Sequence, residues 1–134
     1  MALIWASNFQ TGIETIDEQH KELIDRVNKL LDACSQGEGK KVLPEVLDFL
    51  QNYVVEHFST EENLMKKYYY PAYLTHKKEH DNFVATFKSL REEIDTKGTG
   101  LLITTRVNRL VVDWLKTHIL YVDKQLGSYL KDKI

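Results

Sequence analysis

The sequence predicts an all-α protein, an antiparallel up-down-up-down four-helix bundle that is preceded by an N-terminal arm. Apolar residues recur at three- and four-residue steps through four long segments, which is the periodicity of helices with one buried face. Proline occurs only at 44 and 71, and glycines cluster at 37/39 and 98/100, so the helix breakers fall near the ends of these segments. No stretch alternates apolar and polar residues between hairpin signals. Four such helices joined by short turns pack as a bundle.

The arm is predicted over residues 1–16, the first helix over about 17–34 and the second over about 41–67. Pro44 lies near the start of the second helix, where a missing N–H costs little. The helix ends at the YYYP run of 68–71, because a residue before proline disfavours the helical conformation. The predicted apolar stripes are Ile16, Leu23, Ile24, Val27, Leu30 and Leu31 in the first helix, and Val46, Phe49, Leu50, Tyr53, Val54, Phe58 and Met65 in the second.

The third helix is predicted over about 72–95 and the fourth over about 101–131, separated by the TKGTG turn. All four helices and the arm fit one domain over residues 1–134, a length that allows a single core. The stripes are His76, His80, Phe83, Phe87, Leu90 and Ile94 in the third helix, and Leu110, Trp114, Ile119 and Leu126 in the fourth.

The charge and hydropathy patterns exclude several classes of function. The net charge is −2, from 18 basic and 20 acidic residues that are interspersed, so we expect no nucleic-acid partner. No apolar run reaches the roughly 20 residues that a membrane span needs. The N-terminus has no basic region followed by an apolar stretch, so no signal peptide is predicted and a cytoplasmic location is expected. The charged runs EEN, KK and REE are interpreted as solvated faces.

Two other features receive structural interpretations. Cys34 is the only cysteine, so an intramolecular disulfide is impossible, and the residue is interpreted as a small side chain near a helix end. The tyrosines of 68–70 raise the idea of a radical relay. We instead expect an aromatic cluster that packs against the end of the bundle.

The five histidines are the more informative feature, because their positions predict that they share one layer of the bundle. In an antiparallel helix pair, residues equally far from the connecting turn lie at the same height. His20 and His57 lie at similar distances on either side of the turn near Glu38. His80 and His118 do the same around the turn near Gly98.

Spacing within each helix supports the same layer. HFSTE at 57–61 and HKKEH at 76–80 each place two donors one turn apart on one helix face. His118 and Asp123 are five residues apart, which turns the second side chain ~140° away from the first in a regular helix at 3.6 residues per turn. We therefore predict a π-type turn between them, a feature common at functional sites.

Seven donors on one level predict a metal site. A lone histidine on an apolar face is more often a hydrogen-bonded core residue, but seven buried polar groups without a metal would leave many unsatisfied. Nitrogen and oxygen donors without cysteine exclude a structural thiolate zinc site, and bridging carboxylates favour iron or manganese. Two metals with a three-and-two split of nitrogens, two bridging carboxylates and a bridging oxygen leave one position vacant. The predicted ligands are His20, His57, Glu61, His76, His80, His118 and Asp123.

At these residues the chain resembles the hemerythrins, specifically the bacterial hemerythrin-like oxygen-binding proteins. The resemblance rests on IDEQH at 16–20, HFSTEENLM at 57–65, YPAYLTHKKEH at 70–80 and WLKTHILYVD at 114–123. Trp5 and Gly12 in the arm match as well. The ordered pattern HxxxE, HxxxH and HxxxxD after a first histidine is highly specific, and every element of it is present.

The resemblance implies a cofactor and an assignment of ligands. The cofactor would be two iron ions with an oxo or hydroxo bridge. His76, His80 and His118 would bind the coordinatively saturated iron, and His20 and His57 the iron with the open position. Glu61 and Asp123 would bridge the two ions. Dioxygen would bind reversibly at the open iron inside a dry pocket. The predicted pocket residues, whose apolar helical spacing suits a plain core as well, are Leu23, Phe58, Phe83, Trp114, Leu115 and Ile119.

Three functions remain open at this stage. The favoured one is a dioxygen carrier, store or delivery protein, expected to be monomeric, with an oxygen-consuming oxidase as recipient. A sensor domain is the second, although 134 residues would leave no room for an output domain. A di-iron oxidase or nitric-oxide-binding protein is the third. Ferritin-like enzymes use carboxylate-rich sites with ExxH pairs, whereas this site is rich in histidine, so we expect no enzymatic activity.

Overall fold

The computed structural model describes residues 3–36, 39–98 and 101–134. Three of its helices are α1 (Glu14–Gln36), α2 (Gly39–Lys67) and α3 (Tyr73–Lys97). The fourth is a continuous helical run over residues 101–130, which we call α4. A short 3-10 helix in the arm, Ser7–Phe9, precedes α1. The run α4 consists of Leu101–Val107, the π-helical Asn108–Val112, Asp113–Thr117, the π-helical His118–Asp123 and Lys124–Leu130.

The four helices form the predicted all-α bundle, and α1 and α3 each contact both α2 and α4. The turn centre predicted near Glu38 lies outside the described residues, as does Gly100 in the TKGTG turn. The other breakers act as expected, since α2 ends at Lys67 before Pro71 and α3 ends at Lys97 before Gly98. Among the described helices, each is too short or too polar to cross a membrane.

The predicted core stripes of α1 and α3 are confirmed without exception. The α2 stripe is wrong at Phe49, which is 40% exposed, whereas Val46 and Tyr53 are half-buried and pack against the core. Leu47 is buried instead. The aromatic pair has another role, because Phe49 and Tyr53 stack on each other with ring centroids 5.9 Å apart. The guanidinium of Arg26 lies over Phe49 at 3.7 Å, so these rings cover the α1–α2 surface.

The stripe predicted for α4 is confirmed at Ile119 and Leu126, but its first two members are each one residue away from the buried position. Leu110 and Trp114 are only half-buried, whereas Val107, Val111 and Leu115 are buried. The π-helical segment Asn108–Val112 lies within this stretch. A π turn holds one residue more than an α turn and therefore rotates the helix face that follows. A prediction based on regular helical spacing misses this rotation.

The arm is shorter than the predicted 1–16, because α1 begins at Glu14. The carboxylate of Asp17 accepts hydrogen bonds from the backbone N–H and the hydroxyl of Thr11, at 2.8 and 2.7 Å, and ties the arm to the first helical turn. The arm then crosses α4 closely at Gly127. A Cβ there would lie 2.3 Å from the carbonyl oxygen of Thr11, so only glycine permits this crossing.

Tyr68 and Tyr70 belong to an aromatic cluster at the end of the bundle, as expected, whereas Tyr69 does not. Tyr69 has φ 56°, the left-handed conformation that often ends a helix, and its side chain is 86% exposed. The hydroxyl of Tyr129 donates to the carbonyl oxygen of Tyr68 at 2.7 Å and closes this end. Cys34 is buried near the end of α1, and burial raises the pKa of its thiol to about 11, so it is an inert core residue.

Candidate metal centre

The structure brings all seven predicted ligands together in one buried layer. Each of them is at most 2% exposed. His20 comes from α1, His57 and Glu61 from α2, His76 and His80 from α3, and His118 and Asp123 from α4. The equal distances from the turns therefore predicted the layer correctly.

The donors divide into two groups that share both carboxylates. In the first group the rings of three histidines from α3 and α4 lie with centroids 4.5 to 5.1 Å apart. In the second group the rings of His20 and His57 are 4.7 Å apart. In each group the ligand atoms all lie within 4.8 Å of one another. The first group contains Glu61, His76, His80, His118 and Asp123, and the second contains His20, His57, Glu61 and Asp123.

Asp123 directs one carboxylate oxygen to each group. Its Oδ2 lies 2.8 Å from Nε2 of His20. Its Oδ1 lies 3.0 Å from Nε2 of His76 and 3.2 Å from Nε2 of His118. This is the arrangement of a carboxylate that bridges two metal ions.

The two carboxylate oxygens of Glu61 also face different histidine groups. Its Oε2 lies 3.4 Å from Nε2 of His57 and 3.6 Å from that of His20. Its Oε1 lies 3.1 Å from Nε2 of His80 and 3.5 Å from that of His76. The two carboxylates therefore lie between a three-histidine position and a two-histidine position.

The π-helical segment His118–Asp123 confirms the predicted wider turn. Both end residues are buried, although they are five positions apart. The interior position of Tyr121 is 67% exposed, so the segment turns its middle outward while both ends face the core. The five-residue step from His118 to Asp123 thus fits the wider turn of a π helix.

The donor atoms of the cluster are suited to binding metal ions, because most of them form no hydrogen bonds with one another. Within the described residues, the Nε2 atoms of His20, His76, His80 and His118 lack a hydrogen-bond partner, as do all four carboxylate oxygens of Glu61 and Asp123. The short contacts to the carboxylates therefore lack hydrogen-bond geometry. Leaving so many buried polar atoms unsatisfied costs about 1–3 kcal/mol each. Two metal ions that accept the lone pairs of these atoms remove that cost.

The electrostatics of the metal-free cluster follow from the same contacts. Burial alone lowers the pKa values of His20 and His76, but the neighbouring carboxylates of Asp123 and Glu61 outweigh burial and raise each pKa to about 9. Burial alone raises the pKa of Glu61, but His57, His20 and His76 hold it well below its usual value. These shifts favour protonated histidines beside ionised carboxylates in the metal-free chain.

Carboxylates outside the cluster hold two rings of the three-histidine position. Oε2 of Glu62 lies 3.0 Å from Nδ1 of His80, and Oε1 of Glu79 lies 3.2 Å from Nδ1 of His118. A carboxylate accepts, so each Nδ1 carries the proton and each Nε2 lone pair faces the cluster. The sequence interpretation of EEN as a solvated face is wrong for Glu62, whose side chain is only 18% exposed.

At the two-histidine position the outer partner is a neutral amide. Nδ1 of His57 donates to Oε1 of Gln19 at 2.7 Å. The amide nitrogen of Gln19 donates to the hydroxyl of Thr60 at 3.2 Å, which fixes the orientation of the amide. Gln19, Glu62 and Glu79 were not predicted. Their one sequence signal is that each directly precedes or follows a ligand on its helix.

Two of the predicted pocket residues also stack on ligand rings. Phe58 lies parallel to His80 at 3.8 Å between centroids, and Trp114 is stacked on His118 at 4.4 Å. An apolar cavity of about 10 Å³ lies nearby, close to the minimum that admits one water-sized molecule. Its lining is Leu23, Val27, Leu50, Val54, Phe58, Phe83, Val111, Trp114 and Leu115, which includes five of the six predicted pocket residues. Ile119 is buried in the same core but does not line this cavity among the described residues.

Comparison with known proteins agrees with the geometry of this cluster. Residues 11–130 match the hemerythrin family, described as a hemerythrin HHE cation binding domain. The chain belongs to the hemerythrin family. A bacteriohemerythrin of Methylococcus capsulatus is 38% identical over 97% of this chain and 98% of its own length. A bacteriohemerythrin of Clostridium acetobutylicum is 30% identical over 91% of this chain and 96% of its own.

More distant relatives and solved structures agree with this assignment. A myohemerythrin of Sipunculus nudus is 28% identical over 90% of the chain and 87% of its own length. The crystal structure of a wild-type hemerythrin matches with a TM-score of 0.82 and 34% identity, and covers 98% of this chain and 99% of its own. The predicted family and the predicted fold class are therefore both confirmed. Family membership and the buried cluster together support oxygen binding at a di-iron site in this hemerythrin.

Proposed function

We propose that this hemerythrin is a carrier, store or delivery protein that binds dioxygen reversibly at a non-haem di-iron centre. The observation that carries the proposal is the division of seven buried donors into a three-histidine and a two-histidine group that share Glu61 and Asp123. An odd number of nitrogens over two metals makes one metal position poorer in protein ligands. A small molecule binds at that position.

In the proposed assignment, His76, His80 and His118 hold the saturated iron, and His20 and His57 hold the iron with the open position. Glu61 and Asp123 would each supply carboxylate oxygens to both ions. The iron pair, when bound, supplies two electrons and one open coordination position for dioxygen. The nearest alternative metal is manganese, which also accepts bridging carboxylates.

The protein's contribution to reversibility is the exclusion of water and protons from the bound ligand. The cavity is lined only by apolar side chains, and Phe58 and Trp114 cover the outer faces of two ligand rings. A dry, apolar surrounding disfavours the charge separation that would release a reduced oxygen species. Because that lining offers no acid to deliver protons, we favour a carrier over an oxidase.

The test is an oxygen titration of the anaerobic, ferrous protein followed by its visible spectrum. We expect a ligand-to-metal charge-transfer band that forms with dioxygen and disappears when dioxygen is removed, over repeated cycles. Rapid irreversible oxidation that consumes a reductant with turnover would contradict the carrier and favour a di-iron oxidase. A band that forms with nitric oxide but never with dioxygen would make nitric oxide the ligand.

The proposal extends to the setting in which the protein works. We propose that the chain works as one domain, as a monomer, in the cytoplasm, and that an oxygen-consuming oxidase receives its dioxygen. The even spread of charge, with a net charge of −2, favours free diffusion over attachment to an anionic surface. Analytical ultracentrifugation of the iron-loaded protein tests the monomer, and a stable dimer would contradict it.

A further inference from the structure

The outer hydrogen bonds of the ligand histidines differ in charge between the two metal positions. Two rings of the three-histidine group donate to the carboxylates Glu62 and Glu79. The one outer bond found in the two-histidine group joins His57 to the neutral amide of Gln19. Within the described residues, one Nδ1 in each group lacks a partner, that of His76 in the first and that of His20 in the second. Charge on the outer partners is therefore concentrated on one side.

This difference has a direct electronic consequence. A carboxylate that accepts the Nδ1 proton draws it away from the ring and makes Nε2 a stronger donor to a metal, whereas an amide does so weakly. A stronger donor stabilises the higher oxidation state of the metal it binds. The same bonds also fix the ring orientation, but carboxylate and amide do that equally well.

We propose that Gln19, Glu62 and Glu79 are positioning residues that make the two metal positions electronically unequal. Their carboxylates favour the ferric state at the three-histidine position, and the amide keeps the open position less easily oxidised. The inference rests on the proposed di-iron function and adds to it the residues that set its redox properties. It explains why one outer partner is an amide where a carboxylate of equal size would also reach the ring.

The outer partners are held in place by the fold. Glu62 lies at a cleft of about 270 Å³ between α2 and α3, next to Phe58, which stacks on His80. Gln19 is fixed by the hydroxyl of Thr60, which in turn donates to the carbonyl oxygen of Glu56 at 3.1 Å. Glu79 is 40% exposed and its contact is longer, so we expect its effect to be the smallest of the three.

Two variants of unchanged shape test the proposal in the iron-loaded protein. Glu62→Gln removes the charge at the three-histidine position, and Gln19→Glu adds one at the two-histidine position. Asp81→Asn is the matched control, because Asp81 lines the same cleft and follows His80 in the chain but binds Lys77. Each protein is titrated anaerobically at poised potentials, and its iron content is measured first.

We expect the midpoint potential of the iron centre to rise in Glu62→Gln and to fall in Gln19→Glu. The Gln19→Glu protein should also autoxidise faster than the wild type. A tenfold change in the preference for the ferric state equals about 59 mV for a one-electron step. Asp81→Asn should move the potential much less. Equal shifts of the midpoint potential in Glu62→Gln and Asp81→Asn would overturn the proposal. The loss of any nearby negative charge would then explain both shifts, without the hydrogen bond to His80.

A second measurement does not depend on the variants. In the zinc-loaded wild type, the Nδ1 protons of His80 and His118 should resonate further downfield in NMR spectra than that of His57, because a carboxylate draws a proton more strongly. Equal shifts would contradict the asymmetry. If the wild type binds two irons and these tests fail, only this inference is wrong. If the wild type binds fewer than two irons, the proposed function itself is wrong.

Discussion

His118 and Asp123 lie five positions apart on one helix, yet Nε2 of the histidine is 3.2 Å from Oδ1 of the aspartate. A regular helix would turn these side chains ~140° apart. The π-helical segment His118–Asp123 removes this difference and aims both into the cluster. The fourth helix thereby supplies one histidine of the three-histidine group and a carboxylate that contacts histidines of both groups.

Asp123→Asn tests the bridge that this turn creates. The amide keeps the size of the side chain but offers only one oxygen, so it cannot serve both groups as the carboxylate does. We expect iron content to fall to one per chain or below. The control is Asp113→Asn, because Asp113 is an exposed residue of the same helix and should keep the wild-type content. An Asp123→Asn protein that retains both irons would contradict the bridging role.

Ile119→Ala tests the dry surrounding of the centre. Ile119 is fully buried beside His118, and its loss opens space through which water approaches the metals. We expect both irons to be retained and autoxidation to become faster. Ile103→Ala is the control, because Ile103 is also buried in α4 but lies about 24 Å away along the helix at 1.5 Å per residue.

Both of these variants should lose stability by about 2–5 kcal/mol, the usual cost of this truncation in a core. Comparing the autoxidation rates of two variants that are destabilised to a similar extent separates a role of Ile119 in the pocket from a general loosening of the fold. If Ile119→Ala autoxidises at the rate of Ile103→Ala, the assignment of Ile119 to the pocket is wrong.

Metal uptake should release protons in a manner that depends on pH. The pKa values of His20 and His76 are raised to about 9 in the metal-free chain, so below that pH each ring holds a proton that a metal must displace. Zinc titration in unbuffered solution near pH 7 should release roughly two protons from this pair. The release should decline as the pH passes about 9, and metal affinity should rise over the same range.

The same two histidines set the stability of the metal-free chain. Their pKa values lie above the unfolded value of 6.5, so their stabilising contribution is complete below 6.5 and is lost as the pH rises through about 9. The melting temperature of the metal-free protein should therefore fall as the pH rises from 6.5 to 9. A flat profile across this window would show that protons do not occupy the cluster.

Gly127→Ala tests the crossing of the arm over α4. The new Cβ would lie 2.3 Å from the carbonyl oxygen of Thr11, a backbone atom that cannot move without displacing the arm. We expect a loss of about 1–3 kcal/mol in the free energy of unfolding, the usual cost of overpacking. Ser128→Ala, at the exposed neighbouring position, should change it by less than about 0.5 kcal/mol. Equal effects of the two substitutions would contradict the tight crossing.

Much of the centre was predictable, because helical periodicity converts sequence spacing into position. Distances from the turns placed the histidines in one layer, and the five-residue step from His118 to Asp123 predicted the π turn. The stripe of α3, from His76 to Ile94, is buried as predicted. These features depend on regular geometry within or between helices, and that geometry is known in advance.

The features that escaped prediction depend on tertiary contacts. Asn108–Val112 gives no spacing signal for a second π segment, since its neighbouring apolar residues also suit a regular helix. Glu62 and Glu79 have the sequence context of solvated charges, and only the packing of helices brings them to histidine rings of other helices. The early start of α1 at Glu14 likewise depends on the bond from Thr11 to Asp17.

Iron content per folded chain, measured together with protein concentration on the reconstituted wild type and on Glu61→Ala, tests the central claim most directly. The account predicts two irons in the wild type and the loss of one or both in the variant, because Glu61 is the second bridge and is fully buried. One iron per chain in the saturated wild type, or two in Glu61→Ala, would contradict a carboxylate-bridged pair of metals on these seven side chains.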